Sequence, residues 1–347
     1  MKTTVLDSIN QGLLSALKKD PTVIFLGEDI LDPYGGAFRA TRGCSTAFPD
    51  RVITTPISEA GLGGLATGLA LRGLRPVVEV MFGDFMTLLA DGVVNHMTKF
   101  SWMYRESVSV PLLIRTPMGG GRGYGPTHSQ SLEKLFLGVP GLTVLAPVNY
   151  DFSQKNGSPG ALLAGRILGA STPTLFIENK LQYLLPLLTE ADLLEFDIDI
   201  LFDPAEGGKD FPIFSLKIKG APPPTITIAA YGYMAELARQ AQLKLAFEEE
   251  IFTELIVPTR LSPFKLDPLL DSVGRTLKVL VIEEGTRTLG WGAEVIAIIA
   301  EKLAGGGLKQ VQRVAAAETP VPAARSLEKT MLPQFEDILV ALRRMNG

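Results

Sequence analysis

The 347-residue chain holds one cysteine, Cys44. No disulfide can close within it, and a reducing compartment such as the cytoplasm fits. Histidine is nearly as rare: only His96 and His128 occur, so a zinc site built from His and Cys is not expected. No basic run is present, and 33 Lys and Arg stand against 37 Asp and Glu for a formal charge of −4. Nucleic-acid binding therefore lacks its electrostatic footprint. No apolar run approaches the ~18 residues of a membrane span, and the opening MKTTVLDSIN has no signal-peptide core. No repeat of about 20–50 residues is apparent.

What is there is a globular composition, 46% apolar and 20% charged, in a chain long enough for two domains. Up to residue 184, short apolar runs alternate with helix-period stretches. Val5, Ile9, Leu13 and Leu17 recur at spacings of four and predict a helix over Thr4 to Leu17. Strand-like runs lie at 23–26, 52–54, 77–80, 112–115, 144–146 and 175–177, with helices expected over 60–71 and 85–100. Continuous apolar strands separated by helices predict a doubly wound, mostly parallel α/β sheet. Residues 185–222 are acidic and then rich in Pro and Gly, and read as a connector with one helix and a strand. From 223 to 347 the alternation resumes and predicts a second, smaller α/β domain. Its strands are expected at ITIAAYG, LIV, VLVIEE and VQRVA. Its helices are expected over 234–247, over WGAEVIAIIAEKL before Gly305-Gly306-Gly307, and on both sides of Pro333.

Two glycine-rich stretches could carry chemistry. In ITTPISEAGLGGLATGLAL, Gly61-x-Gly63-x-x-Ala66 fits a loose dinucleotide fingerprint, with Glu79 placed for a ribose-binding acid. Pro56, Ser58 and Glu59 nevertheless separate the strand from the glycines. The alternative is that Gly61, Gly63, Gly64 and Gly68 let a helix pack close to the sheet. Glu59 lies at a strand-to-helix junction, where ligands of open α/β sheets bind. It either meets a ligand there or simply favours the positive end of the following helix. MGGGRGYGPTHSQS must be a loop, and it carries His128. His96 lies mid-helix and reads as structural.

Together these stretches resemble a family. FLGED (25–29), TPISEAG (55–61), GLRPVVEVMFGDF (73–85), THSQS (127–131) and PGLTVLAP (140–147) are similar to the beta subunit of the thiamine-diphosphate-dependent decarboxylase of 2-oxo acid dehydrogenase complexes, pyruvate dehydrogenase type. EEGTRTLGWGAEV (283–295), ETPVPAA (318–324) and LEKTMLPQFEDI (327–338) agree independently.

The resemblance implies a pyrimidine-binding domain followed by a transketolase C-terminal domain, within an α2β2 assembly whose thiamine diphosphate spans the subunit interface. It implies that Glu59 contacts the aminopyrimidine, that Phe85 stacks on it, and that Ile57 and Met81 line it. Glu28, in FLGED, joins the cofactor-binding set on the same ground. His128 is implied near the reacting carbons, assisting acyl transfer to a lipoyl group. A carboxylate at N1′ of the ring favours the imino tautomer that serves as the cofactor's internal base, and such a proton relay is worth ~10²–10⁴ in rate. The Mg²⁺ that a diphosphate needs takes oxygen ligands. The family's Gly-Asp-Gly…Asn metal motif is absent, Gly83-Asp84-Phe85 being only a partial echo. No metal ligand is therefore assigned to this chain, and an alpha subunit is expected to supply the Mg²⁺ site. A lipoyl-bearing acyltransferase is a further possible partner. Two other readings stay open: a split transketolase-like enzyme with a non-lipoyl acceptor, and a non-catalytic stabilising subunit.

Overall fold

A computed structural model describes residues 2–152, 157–202 and 211–347. The first helix, α1 (Val5–Lys19), begins where Thr4 and Asp7 form a reciprocal capping box and ends on Lys18 and Lys19, each charge complementing the helix dipole. Val5, Ile9, Leu13 and Leu17 make its buried face, at the predicted spacing.

Strands β1 (Val23–Gly27), β2 (Val52–Thr54), β3 (Arg75–Glu79), β4 (Leu113–Met118), β5 (Thr143–Leu145) and β6 (Thr174–Asn179) follow. They are interleaved with α2 (Cys44–Ala47), α3 (Glu59–Leu71), α4 (Phe100–Met103) and α5 (Pro159–Gly169). The six strands run parallel in the order β5-β6-β4-β3-β1-β2. Helices α1 and α5 cross in close contact: a Cβ on Gly12 would stand 2.3 Å from the Gly160 carbonyl oxygen, and one on Gly160 would stand 1.9 Å from that of Ser8. Neither position has room for a side chain.

The helix expected over 85–100 is not continuous. A 3₁₀ stretch (Gly83–Leu89), a π stretch (Gly92–Met97) and the short α4 replace it. Gly92 and the β-branched pair Val93-Val94 are weak helix formers, and the Thr98 hydroxyl donates to the Val93 carbonyl five residues back, at 2.8 Å. His96 in this stretch is exposed, with Nε2 3.4 Å from Asp91.

The second sheet contains β7 (Phe196–Leu201), β8 (Ile213–Ile218), β9 (Ile226–Ala230), β10 (Thr253–Pro258), β12 (Lys278–Thr286) and β13 (Gln310–Ala316), ordered β13-β12-β9-β10-β8-β7. The intervening β11 (Arg260–Ser262) pairs antiparallel with β5 and so extends the first sheet. Helices α6 (Gly232–Glu249), α7 (Asp267–Thr276), α8 (Trp291–Lys302), α9 (Arg325–Met331) and α10 (Phe335–Asn346) complete the chain.

The stretch read as a connector contributes two strands rather than one: β7 and β8 pair antiparallel and join β10. Its helical part is a single 3₁₀ turn, Glu190–Asp192, and residues 203–210 lie outside the described residues. One hydrophobic cluster crosses the junction between the sheets, bringing Met118 and Ile177 of the first together with Tyr231 and Trp291 of the second half.

Candidate active site

The sequence-predicted residues follow the carboxyl ends of adjacent parallel strands. Glu28 follows β1, Glu59 opens α3 just beyond β2, Met81 lies two residues past β3, and the glycine loop carrying His128 follows β4. Lys180, which the sequence reading did not single out, follows β6. This edge is where open α/β sheets bind ligands.

Glu59 is 7% exposed. No described residue hydrogen bonds to its carboxylate. Its charge is felt by half-buried Glu28, whose carboxyl is held above the usual range first by burial and then by Glu59. Ile57 is 83% exposed and Met81 is half-buried, so the structure does not by itself gather Ile57 with the others.

Phe85 and His128 do meet. Their ring centroids are 5.3 Å apart and nearly perpendicular, and Phe82 stands 4.8 Å from His128 and 6.1 Å from Phe85. Thr127 Oγ1 and His128 Nδ1 share a hydrogen bond of 3.0 Å.

Sequence reasoning missed the groups that hold this loop. Asp84 accepts from the Gln130 side-chain amide at 2.8 Å and from its backbone N–H at 3.3 Å, so the partial metal echo is in fact a loop clamp. Glu284 accepts from the Gly120 N–H (2.7 Å), and Glu328 from those of Gly121 (2.7 Å) and Gly123 (2.9 Å). The second half of the chain thus grips the glycine loop of the first. Lys180 donates to the His128 carbonyl. The available signal was positional: Lys180 directly follows the run TLFIEN, at a strand's carboxyl end.

Glu79 is buried and paired with Arg115, which also holds Glu178. Burial raises the Glu79 carboxyl to about 6, against the pull of Arg115. An acid engaged in this way is not free for a ribose. The glycines of α3 also divide. A Cβ on Gly63 would meet Leu89 at 2.3 Å, but Gly64 and Gly68 face open space and Gly61 meets only Ser58. Close packing therefore accounts for Gly63 alone, and there against the 3₁₀ stretch Gly83–Leu89 rather than the sheet.

A cavity of about 750 Å³ lies behind the glycine loop, between Gly121, Tyr233, Glu284, Arg325 and Phe335. Glu59, Phe85 and His128 do not line it. Among the described residues no cluster of His, Cys, Asp and Glu could hold a metal ion, and no helix is long and apolar enough to cross a membrane.

Residues 2–183 match the family described as "Transketolase, pyrimidine binding domain", and residues 217–338 match "Transketolase, C-terminal domain". The chain belongs to the transketolase-like family of E1 beta subunits. It is 34% identical to the mitochondrial pyruvate dehydrogenase E1 component subunit beta-1 of Arabidopsis thaliana, over 98% of this chain and 88% of that one. The human mitochondrial pyruvate dehydrogenase E1 subunit beta is 32% identical over 99% and 90%. The beta subunit of an acetoin:2,6-dichlorophenolindophenol oxidoreductase from Cupriavidus necator is 31% identical over 99% and 97%. A solved structure titled "Split gene transketolase, inactive beta4 tetramer" superposes with a TM-score of 0.70 at 18% identity, covering 97% of this chain and 96% of that one. That likeness concerns the fold alone.

Proposed function

We propose that this chain is the beta subunit of a thiamine-diphosphate-dependent 2-oxo acid dehydrogenase E1 component. In this reading it acts with an alpha subunit in an α2β2 assembly and passes an acyl group to a lipoyl-bearing acyltransferase. The observation that carries the reading is Glu59: a residue only 7% exposed whose carboxylate has no hydrogen-bond partner among the described residues yet is still reached by solvent, at the carboxyl-end edge of a pyrimidine-binding fold. A carboxylate left unpaired and accessible in this way is free to share a proton with a ring nitrogen placed against it.

Bound thiamine diphosphate would supply the carbanion and the electron sink for decarboxylation. Glu59 would hold a proton at the ring's N1′ through a charge-assisted hydrogen bond, and Glu28 would sharpen this by keeping a second carboxyl close to it. Ile57, Met81 and Phe85 would bind the ring and exclude water. Thr127 occupies His128 Nδ1 and leaves Nε2 to move a proton at the acyl group. No residue of this chain is proposed as a ligand of Mg²⁺, which the alpha subunit would hold. Residues 1–184 and 223–347 would be the two domains, with 185–222 between them adding strands to the second sheet. The cytoplasmic assignment is supported by the single buried thiol of Cys44, although the plant and human relatives are mitochondrial.

The test is to purify the tagged chain gently from its host and identify stoichiometric partners by mass spectrometry. A partner carrying the Gly-Asp-Gly…Asn motif, and turnover of a 2-oxo acid only by the pair with thiamine diphosphate and Mg²⁺, is expected. An active, thiamine-loaded assembly of this chain alone would overturn the reading. Turnover without any lipoyl acceptor in the pull-down would move it to the split transketolase-like alternative.

A further inference from the structure

Lys180 is fully buried at the carboxyl end of β6. The only hydrogen bond its ammonium makes among the described residues is to the His128 carbonyl, at 2.5 Å. The same nitrogen stands 5.1 Å from the Phe82 ring centroid and 5.6 Å from that of Tyr124. An ammonium has three donors, and burying it with one acceptor is costly. The surrounding charge offsets part of that cost, with the carboxylates of Asp84, Glu284 and Glu328 acting on it and Arg122 opposing them.

The backbone of Lys180 is itself fixed. Its N–H donates to the Met118 carbonyl (3.1 Å), and its own carbonyl accepts from Arg122 Nη2 (2.7 Å). The cation is therefore built on the rigid end of a central strand and reaches the loop at one point. Two residues on, Asp84 holds Gln130.

We propose that Lys180 is a positioning residue: its ammonium fixes the His128 backbone so that the imidazole stands edge-on to Phe82 and Phe85. The functional consequence rests on the reading of His128 as the group that assists acyl transfer. Burial, opposed by Asp84 and Glu284, lowers the Lys180 ammonium to about 8. The clamp is thus largely charged at neutral pH and loses its charge in mildly alkaline solution.

The chain's two histidines make this directly readable. In the full chain carrying His96→Asn and ¹³C-labelled histidine, His128 gives the single imidazole signal, followed from pH 7 to 10. The resonance is expected to show a step near pH 8 that reports Lys180. Lys180→Met should displace the resonance and abolish the step, whereas Lys180→Arg should keep the resonance near its original position and remove the step from the range. Where Lys180→Met does not fold, Lys180→Gln takes its place, and an imidazole resonance unmoved by it overturns the proposal. A Lys180→Met resonance unchanged in position and pH profile also overturns it.

In the assembled enzyme, Lys180→Met is expected to lower kcat by about 10- to 100-fold, as small misplacements of reacting groups do. KM for the 2-oxo acid should be little changed, and Lys180→Arg should restore much of the rate. His128→Asn separates the two claims. If it leaves turnover intact while Lys180→Met still moves the imidazole, the reading of His128 fails and the positioning stands. If His128→Asn abolishes turnover but Lys180→Met leaves the imidazole unmoved, the positioning fails and the reading stands.

Discussion

The carboxylates of Glu28 and Glu59 repel each other at the carboxyl edge of the first sheet, the charge of Glu59 adding to burial in holding Glu28 above its usual range. Two acids without a cation between them are a poor structural device and a useful catalytic one. Glu59→Gln is therefore expected to cut turnover of the assembled enzyme by roughly 10²–10⁴-fold. It should leave the melting temperature of the chain the same or slightly higher, because a like charge is removed. Activity and thermal melting measured on the same preparation decide the point. A fall in melting temperature that accounts for the lost activity would assign Glu59 to structure.

Arg115 is the opposite case. It is fully buried between Glu79 and Glu178, carried on the adjacent strands β3, β4 and β6, and Tyr183 donates a further hydrogen bond to Glu178 at 2.6 Å. Arg115→Met removes the cation and leaves two carboxylates in the sheet. A loss of about 3–5 kcal/mol is expected, as for other broken buried pairs, read as a lower denaturant midpoint. The triple substitution with Glu79→Gln and Glu178→Gln should recover much of it, since no unpaired charge then remains.

The junction of the two sheets holds three buried glutamates. Burial raises Glu133, whose Oε1 accepts from the Tyr231 hydroxyl, and likewise raises Glu284. Glu283 is 1% exposed and raised to about 7, mainly by burial and with the Glu133 charge adding to it. An acid whose folded pKa exceeds its unfolded value binds more protons when folded, so its contribution to stability falls as pH rises through that interval. The melting temperature is expected to fall between pH 5 and 7.5, and Glu283→Gln should flatten part of that slope. A slope unchanged by the substitution would remove Glu283 from the account.

Much of this architecture is legible in the residues. The four-spaced Val5, Ile9, Leu13 and Leu17 and the apolar runs of the first sheet state their elements, because burial on one helix face or both sheet faces leaves a periodic mark. Strand β7 was hidden by its charge. FDIDIL alternates apolar and acidic residues as a one-sided edge strand does, with Asp197 facing solvent and Phe196 buried, yet its acidity suggests a linker. The helix expected over 85–100 failed because apolar spacing alone cannot distinguish α from 3₁₀ and π turns. At the site, Glu59 was legible from its junction, and His128 from its rarity and its loop. Asp84, Lys180, Glu284 and Glu328 were not, since each acts on backbone groups brought close only by the fold. Glu328 lies more than 200 residues from the glycines it holds.

Helix α3 presents the last test. Gly64 and Gly68 face open space, and Ala60, Gly61 and Leu65 are exposed alongside them. Exposed mid-helix glycine costs about 1 kcal/mol relative to alanine, and nothing among the described residues offsets that cost at Gly64. A partner chain pressed close against the helix backbone would, because a methyl there would hold the two apart. Gly64→Ala is therefore expected to stabilise the isolated chain by about 1 kcal/mol while weakening its association with the alpha subunit. Thermal melting of the chain alone and sedimentation of the mixture measure the two effects separately. Stabilisation with undiminished assembly would show that this face of α3 is solvent-exposed in the working enzyme, and the surface that meets the alpha subunit would then have to be sought elsewhere on the chain.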